Sequence, residues 1–344
     1  MDNFDTLDAE QQTARLEQLV RNALPLWGLE SSELQLIKFR ENAVFRVRAA
    51  NGEQYALRVH RHAYHSDDAL RSELQWIDAL DTAGIRVPAV IPTRDGRLFA
   101  HVRTDGVPGE RQVDLFEWVQ GRQLGAVEDG LDASQPIATI YGTIGELAAK
   151  LHNQALDWQL PDGFRRHAWD ADALAGEEPL WGRFWELPAL GDAQRELLLT
   201  ARDRVHADLL RYQADPANSG RYSLIHADFV AENLLVDGSE VRLIDFDDAG
   251  FGWHLFELAT ALYFERGEAH FDQAYAALVE GYRRYRALPD EQLAHMPLFF
   301  AARSFTYLGW VATRPETETA RTMTPALVEM SCQAVRDYFD AGSA

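Results

Sequence analysis

From Asp8 to Leu24 the apolar residues Leu16, Leu19, Val20, Ala23 and Leu24 recur at three- and four-residue intervals until Pro25 and Gly28 break the pattern, which predicts a lead-in helix. The period then drops to two. ELQLIKF, AVFRVRAA and QYALRVHR read as strands, with Asn51-Gly52 as the hairpin signal between the last two. Ser66-Asp67-Asp68 supplies N-cap chemistry for a helix, DDALRSELQWIDALDTAG, in which Leu70, Leu74, Ile77 and Leu80 form one stripe that Gly84 ends and Glu73 flanks. AVIPT, GRLFAHV and RQVDLFEWV are three further strand candidates, and the polar loop QGRQLG places a lobe boundary near Gly121, dividing the chain into 1–120 and 121–344.

Beyond that boundary the period is helical, as in IATIYGTIGELAAKLHNQAL and DAQRELLLTARDRVHADLLRY, and stays so to the C-terminus with one exception. The exception is LIHADFVAENLLVDGSEVRLIDFDDAG, residues 224–250, in which LLVDGSEVRLI reads as a hairpin turning at Asp237-Gly238. The Trp- and Pro-rich segment from Trp158 to Leu190 reads as a cap or as packed loop. The expected class is α+β in two lobes: a small antiparallel sheet with one main helix, then a larger, mainly helical half.

Charge and composition narrow the partners. The 33 basic residues face 54 acidic ones, and a net charge of −21 opposes binding to nucleic acid or to an anionic membrane. Cys332 is the single cysteine, so neither an intrachain disulfide nor a cysteine-rich zinc site is expected. The N-terminus is acidic and lacks an apolar core of the signal-peptide kind, and apolar runs such as Met296 to Ala302 are too short to span a bilayer. The expectation is a cytoplasmic monomer or homodimer.

A hairpin brings the loops at its two ends to one edge, so Asp228, Asn233 and Asp245 are expected to converge, and three oxygen ligands form a site for a hard cation such as Mg2+. Turn and capping chemistry is the plainer role for these residue types. A His226–Asp228–His254 iron triad is the other chemical alternative.

His-x-Asp-x-x-x-x-Asn at 226–233, followed by Asp245-Phe246, resembles the catalytic loop and metal-binding aspartate of protein-kinase-like enzymes. With Ala227 after the histidine and DFDDA in place of D-F-G, the chain resembles the aminoglycoside phosphotransferase superfamily, which includes choline kinases, homoserine kinase type II and bacterial stress-response kinases. The resemblance implies a protein-kinase-like fold and transfer of the γ-phosphoryl group of ATP to a hydroxyl of a small molecule: an amino alcohol, an amino acid such as homoserine, or an aminoglycoside. A Ser/Thr protein kinase of the same fold, or a weak nucleotide-binding pseudokinase with a regulatory role, is the alternative.

The resemblance also implies roles. Asp228 would orient the attacking hydroxyl, and Asn233 and Asp245 would hold the magnesium ion. Arg58, in the lysine's place within YALR, would hold phosphates with Glu73 as its partner, and LFEWVQG would be the hinge whose backbone near Glu117 and Val119 takes the adenine edge. FRENAVFRV lacks a glycine-rich loop, so Glu41, Asn42 and Ala43 would cover the phosphates. LAAKLH at Leu147 to His152 resembles a helix packed beneath the catalytic loop, and His226 is read as a brace of that loop. Glu257 is expected to anchor backbone after the metal loop, and Asp247 and Asp248 either join the metal shell or line the acceptor site. Arg303 and Arg314 are read as solvated helix arginines, with contact to an anionic acceptor as the alternative.

Overall fold

Alternating side chains of a strand face opposite sides of its sheet, and residues 43–48 show it, being buried at 43, 45 and 47 and more open at 44, 46 and 48. The computed structural model describes residues 4–39, 42–126, 130–131, 136–238 and 240–342. After helix α1 (Ala9–Ala23), capped by Asp8, come strands β1 (Glu33–Phe39), β2 (Ala43–Arg48) and β3 (Gln54–Val59), then helix α2 (Asp67–Thr82), capped by Ser66, and strands β4 (Phe99–Val102) and β5 (Arg111–Glu117). The five strands form one antiparallel sheet in the order β1-β2-β3-β5-β4. Ala43, Phe45 and Val47 of β2, with Leu57 and Val59 of β3 and Val113 and Leu115 of β5, join Leu16, Leu19, Val20 and Ala23 of α1 in one core.

AVIPT is not a strand. It makes a single bridge, Val90 to Phe116. Pro88 and Pro92 flank that bridge, and a residue without an N–H cannot continue a ladder.

The chain forms two compact units, 1–121 with 160–165, and 122–159 with 166–344. Within the first, the returning segment is tied by the Arg165 N–H to Ser72 Oγ of α2 at 2.7 Å. The second begins with short strands β6 (Arg122–Gln123), β7 (Gly125–Ala126) and β8 (Gly130–Leu131), followed by helix α3 (Ile137–Asp157). Next come β9 (Ala168–Trp169), α4 (Ala171–Ala175), α5 (Asp192–Ala214), β10 (Tyr222–Ile225) and the hairpin β11 (Leu234–Asp237) and β12 (Glu240–Leu243). Strand β13 (Gly250–Trp253) leads into α6 (His254–Leu262), α7 (Phe271–Arg283), α8 (Asp290–Leu293), α9 (Met296–Thr313) and α10 (Glu318–Ala341).

Two features position the site. A side chain at Gly145 of α3 would put its Cβ 2.0 Å from the Leu278 carbonyl of α7, so these helices meet backbone to backbone. Helix α9 is buried over almost its whole surface, as expected of a helix apolar on every face.

Candidate active site

Strand β10 ends at Ile225, and the next residues turn sharply. Ala227 has φ +62°, in the left-handed region that a residue with a Cβ enters only at a cost of about 1–2 kcal/mol. Glu257 of α6 holds it there, its two buried carboxylate oxygens accepting the N–H groups of His226 and Ala227 at 2.7 Å each. The glutamate thus anchors the loop before the hairpin rather than the segment after the acidic loop. His226 Nε2 donates to the Ile244 carbonyl at 3.0 Å, and Nδ1 accepts the Asp228 N–H at 3.2 Å. The ring ties the two ends of the hairpin together with both nitrogens engaged. His254 is bonded to Ser223 Oγ at 2.9 Å and stacked on His152 at 4.0 Å, so no His–Asp–His triad is assembled. His152, at the end of LAAKLH, also pairs with the Tyr282 hydroxyl at 2.9 Å.

Asp228 follows directly. Its Oδ2 accepts Asn233 Nδ2 at 2.6 Å and its Oδ1 accepts Arg303 Nη2 at 3.3 Å. With Nδ2 so engaged, the Asn233 atom suited to a cation is Oδ1. The Ile244 N–H donates to the Asn233 carbonyl at 2.9 Å, which carries the chain into Asp245, an exposed residue at φ +66°. Two strained non-glycine residues therefore bracket the hairpin, a pattern that occurs where a site over-determines its backbone.

The loop after Asp245 is held by its carbonyls. Arg166 donates to those of Asp247 and Ala249, while His167 Nε2 and Trp169 Nε1 donate to that of Asp248 at 3.0 Å each. Part of the Trp- and Pro-rich segment is thus a clamp on the acidic loop. Nothing local in the sequence marks Arg166 or His167 for this.

The electrostatics report a surplus of negative charge. Burial pushes the Asp228 carboxyl up to about 7; Asp245 and Glu232 add to the rise, and Arg303 and Asn233 oppose it. Burial also raises Asp248 well above the carboxylate range, with Asp228, Asp247 and Asp245 contributing. Asp228, bonded to the Asn233 carboxamide, and Asp248 offer oxygen atoms of the kind that a hard divalent cation takes.

In the first unit, Arg58 Nη2 donates to Glu73 Oε1 at 2.7 Å, which joins β3 to α2. A second carboxylate, absent from the sequence reading, meets the same guanidinium in a bidentate manner. Asp114 accepts Nε at 3.1 Å and Nη2 at 2.7 Å, and its Oδ2 also pairs with His60 Nε2 at 2.9 Å. Asp114 lies directly across from Arg58 in the β3–β5 register. Burial would push its carboxyl up, but the charges of Arg58 and His60 hold it below the usual range.

At the end of β5 the Trp118 N–H takes the Gln54 carbonyl, so the register turns both backbone groups of Glu117 away from β3, and its N–H donates to Ala89. Among the described residues the Val119 N–H has no such partner. Asn42 Oδ1 accepts the Arg61 N–H at 3.1 Å, pinning the β1–β2 loop to the end of β3, whereas Glu41 lies outside the described residues. Ala43 is buried in β2.

The two arginines read as solvated are not. Arg303 is 0 % exposed and Arg314 is 6 % exposed, the latter over Trp310 and Trp181. One signal was available for Arg303: it is the only charged residue of an otherwise apolar helix.

Comparison with known proteins identifies the family. Residues 34–288 match the phosphotransferase enzyme family. A solved microcompartment-associated aminopropanol kinase is 32% identical, with a TM-score of 0.81 and coverage of 94% of this chain and 98% of that one. An amicoumacin kinase solved with AMP-PNP, Ca2+ and Ami shares the fold at 19% identity and a TM-score of 0.74, covering 97% of this chain and 96% of that one. A homoserine kinase of Neisseria meningitidis serogroup B is 28% identical over 238 residues, 68% of this chain and 67% of the kinase. The fold is protein-kinase-like, and the chain belongs to the phosphotransferase enzyme family.

Proposed function

We propose that this protein transfers the γ-phosphoryl group of ATP, bound with Mg2+, to the hydroxyl of a small amino alcohol or hydroxy amino acid in the cytoplasm. The observation that carries the reading is the Asp228–Asn233 hydrogen bond, 2.6 Å, at the start of a hairpin that leads into Asp245. Phosphoryl transfer needs positioning and charge neutralisation more than covalent chemistry, and these residues offer both. Asp228 accepts the hydrogen bond of the attacking hydroxyl and orients its oxygen. Asn233 Oδ1 and Asp245 hold the divalent ion, with Asp247 or Asp248 available beside them. The chemistry that a bound magnesium ion supplies is neutralisation of charge on the phosphates.

Arg58, fixed by Glu73 and Asp114, binds phosphate oxygens in place of a lysine. The Glu117 carbonyl and the Val119 N–H are the backbone pair for the adenine edge. A cationic acceptor is favoured by the acidic loop, where burial first and then the charges of Asp228, Asp247 and Asp245 raise Asp248. The similarity to an aminopropanol kinase points the same way.

The test is ADP release from Mg-ATP over a panel of 1-amino-2-propanol, ethanolamine, homoserine, an aminoglycoside and a Ser/Thr peptide pool, with Asp228→Asn as control. Turnover of an amino alcohol or hydroxy amino acid, lost in the variant, is expected. Turnover of the peptide pool alone, or no acceptor above the control, overturns the reading.

A further inference from the structure

No part of the Arg303 side chain reaches solvent, and α9 around it is apolar. A guanidinium in such a place has lost its water and needs acceptors from the protein. Nη2 has two, Tyr307 Oη at 3.0 Å and Asp228 Oδ1 at 3.3 Å. Nε and Nη1 have none among the described residues. Rings meet the guanidinium instead, with Cζ 4.2 Å from the centroid of Tyr307 and 5.5 Å from those of Phe256 and Trp181. Aromatic faces attract the cation but carry no net charge. Among the described residues, Asp228 is the one anion to which Arg303 is hydrogen-bonded.

Stability does not explain this pairing. A buried ion pair is on average no better than apolar side chains of the same volume, because desolvation offsets the attraction. The geometry offers another reason. Asn233, which holds Oδ2, lies five residues along the same loop and moves with it, whereas Arg303 comes from a helix 75 positions away and is wedged among three rings. A donor on each oxygen fixes both torsions of the carboxylate, and the fixed reference is the helix.

We propose that Arg303 is the positioning residue of Asp228: held in a box of Tyr307, Phe256 and Trp181, it sets the orientation in which the carboxylate meets the acceptor hydroxyl. The inference rests on the reading of Asp228 as the group that orients that hydroxyl. A misplacement of about 1 Å at such a group lowers turnover by roughly 100-fold without weakening nucleotide binding.

The test is ADP release from Mg-ATP, measured with 1-amino-2-propanol as acceptor and, separately, with water as the only acceptor. Arg303→Met places an unbranched apolar chain in the box, and a thermal melt close to wild type checks that it folds. Expected is a fall in kcat of about 10- to 100-fold with the KM for ATP unchanged. In the Asp228→Asn background, the added Arg303→Met should leave the residual rate unaltered, because the arginine acts only through the carboxylate. Tyr307→Phe, which removes only the hydroxyl that orients Nη2, should lower kcat by about 3-fold.

A folded Arg303→Met that keeps its kcat, an effect confined to the KM for ATP, or losses that multiply in the double variant would each overturn the inference. If Arg303→Met does not fold, unchanged kcat in both Tyr307→Phe and Arg303→Lys overturns it. Full activity in Asp228→Asn would instead sink the underlying reading, and this inference with it.

Discussion

Replacing Asp228 by asparagine should cut phosphoryl transfer to a small residual rate and yet stabilise the protein free of nucleotide and metal. Burial, with the charges of Asp245 and Glu232, pushes the Asp228 carboxyl from 3.8 to about 7. An acid raised in the folded state keeps a proton that the unfolded chain releases, so stability falls as the pH rises from about 4 to 7, and the loss is complete above that window. At about 1.4 kcal/mol per pH unit, the ionised carboxylate costs about 4 kcal/mol. Asparagine removes that cost. It also weakens the bonds to Arg303 and Asn233, by about 1–2 kcal/mol, while Asp248 still opposes the charge of Arg303. The expected net gain is about 2 kcal/mol at pH 8, shrinking toward zero near pH 5. Urea unfolding with a chelator present, at pH 8, 6.5 and 5, reads it directly. Equal or lower stability of the variant at pH 8, or a gain that does not shrink on acidification, refutes the reasoning.

Three further outcomes follow from particular contacts. Glu257→Gln keeps the shape but turns an amide N–H2 toward a backbone N–H, leaving a buried donor unpaired at strained Ala227, so it should cost about 2–4 kcal/mol. Its kcat should fall with its melting temperature, and an unaltered melt would show that the carboxylate does not hold the loop. Asp114→Asn removes the bidentate anion from buried Arg58 and should cost about 2–4 kcal/mol, with the KM for ATP rising about 10-fold; nucleotide titration that matches wild type would remove Arg58 and Asp114 from the phosphate site. Gly145→Ala forces a Cβ against the Leu278 carbonyl and should destabilise the second unit by about 3 kcal/mol or more. Circular dichroism melting checks this, and a variant as stable as wild type would mean that α3 and α7 are not in backbone contact.

Short-range pattern made much of this protein readable. Capping residues, strand alternation and the Asp237-Gly238 turn follow from the chemistry of contiguous residues, so α1, α2, the first three strands and the β11–β12 hairpin lie where the periodicity puts them. The same locality exposed the candidate site, because His226, Asp228, Asn233, Asp245 and Phe246 fall within one short stretch whose spacing is itself the signal. AVIPT misled because its apolar residues suggest a strand whereas its flanking prolines cannot extend one.

What the sequence determined by itself is the local conformation and the set of residues that make up the candidate site. What only the tertiary structure decided is which distant charges they face: Asp114 on Arg58, Arg166 and His167 on the acidic loop, and Arg303 on Asp228. The reason is physical. Helix and strand periods are set by neighbours along the chain, whereas a buried charge is tolerated only through a partner from another element, and an arginine carries no local mark of whether its partner will be water or a carboxylate.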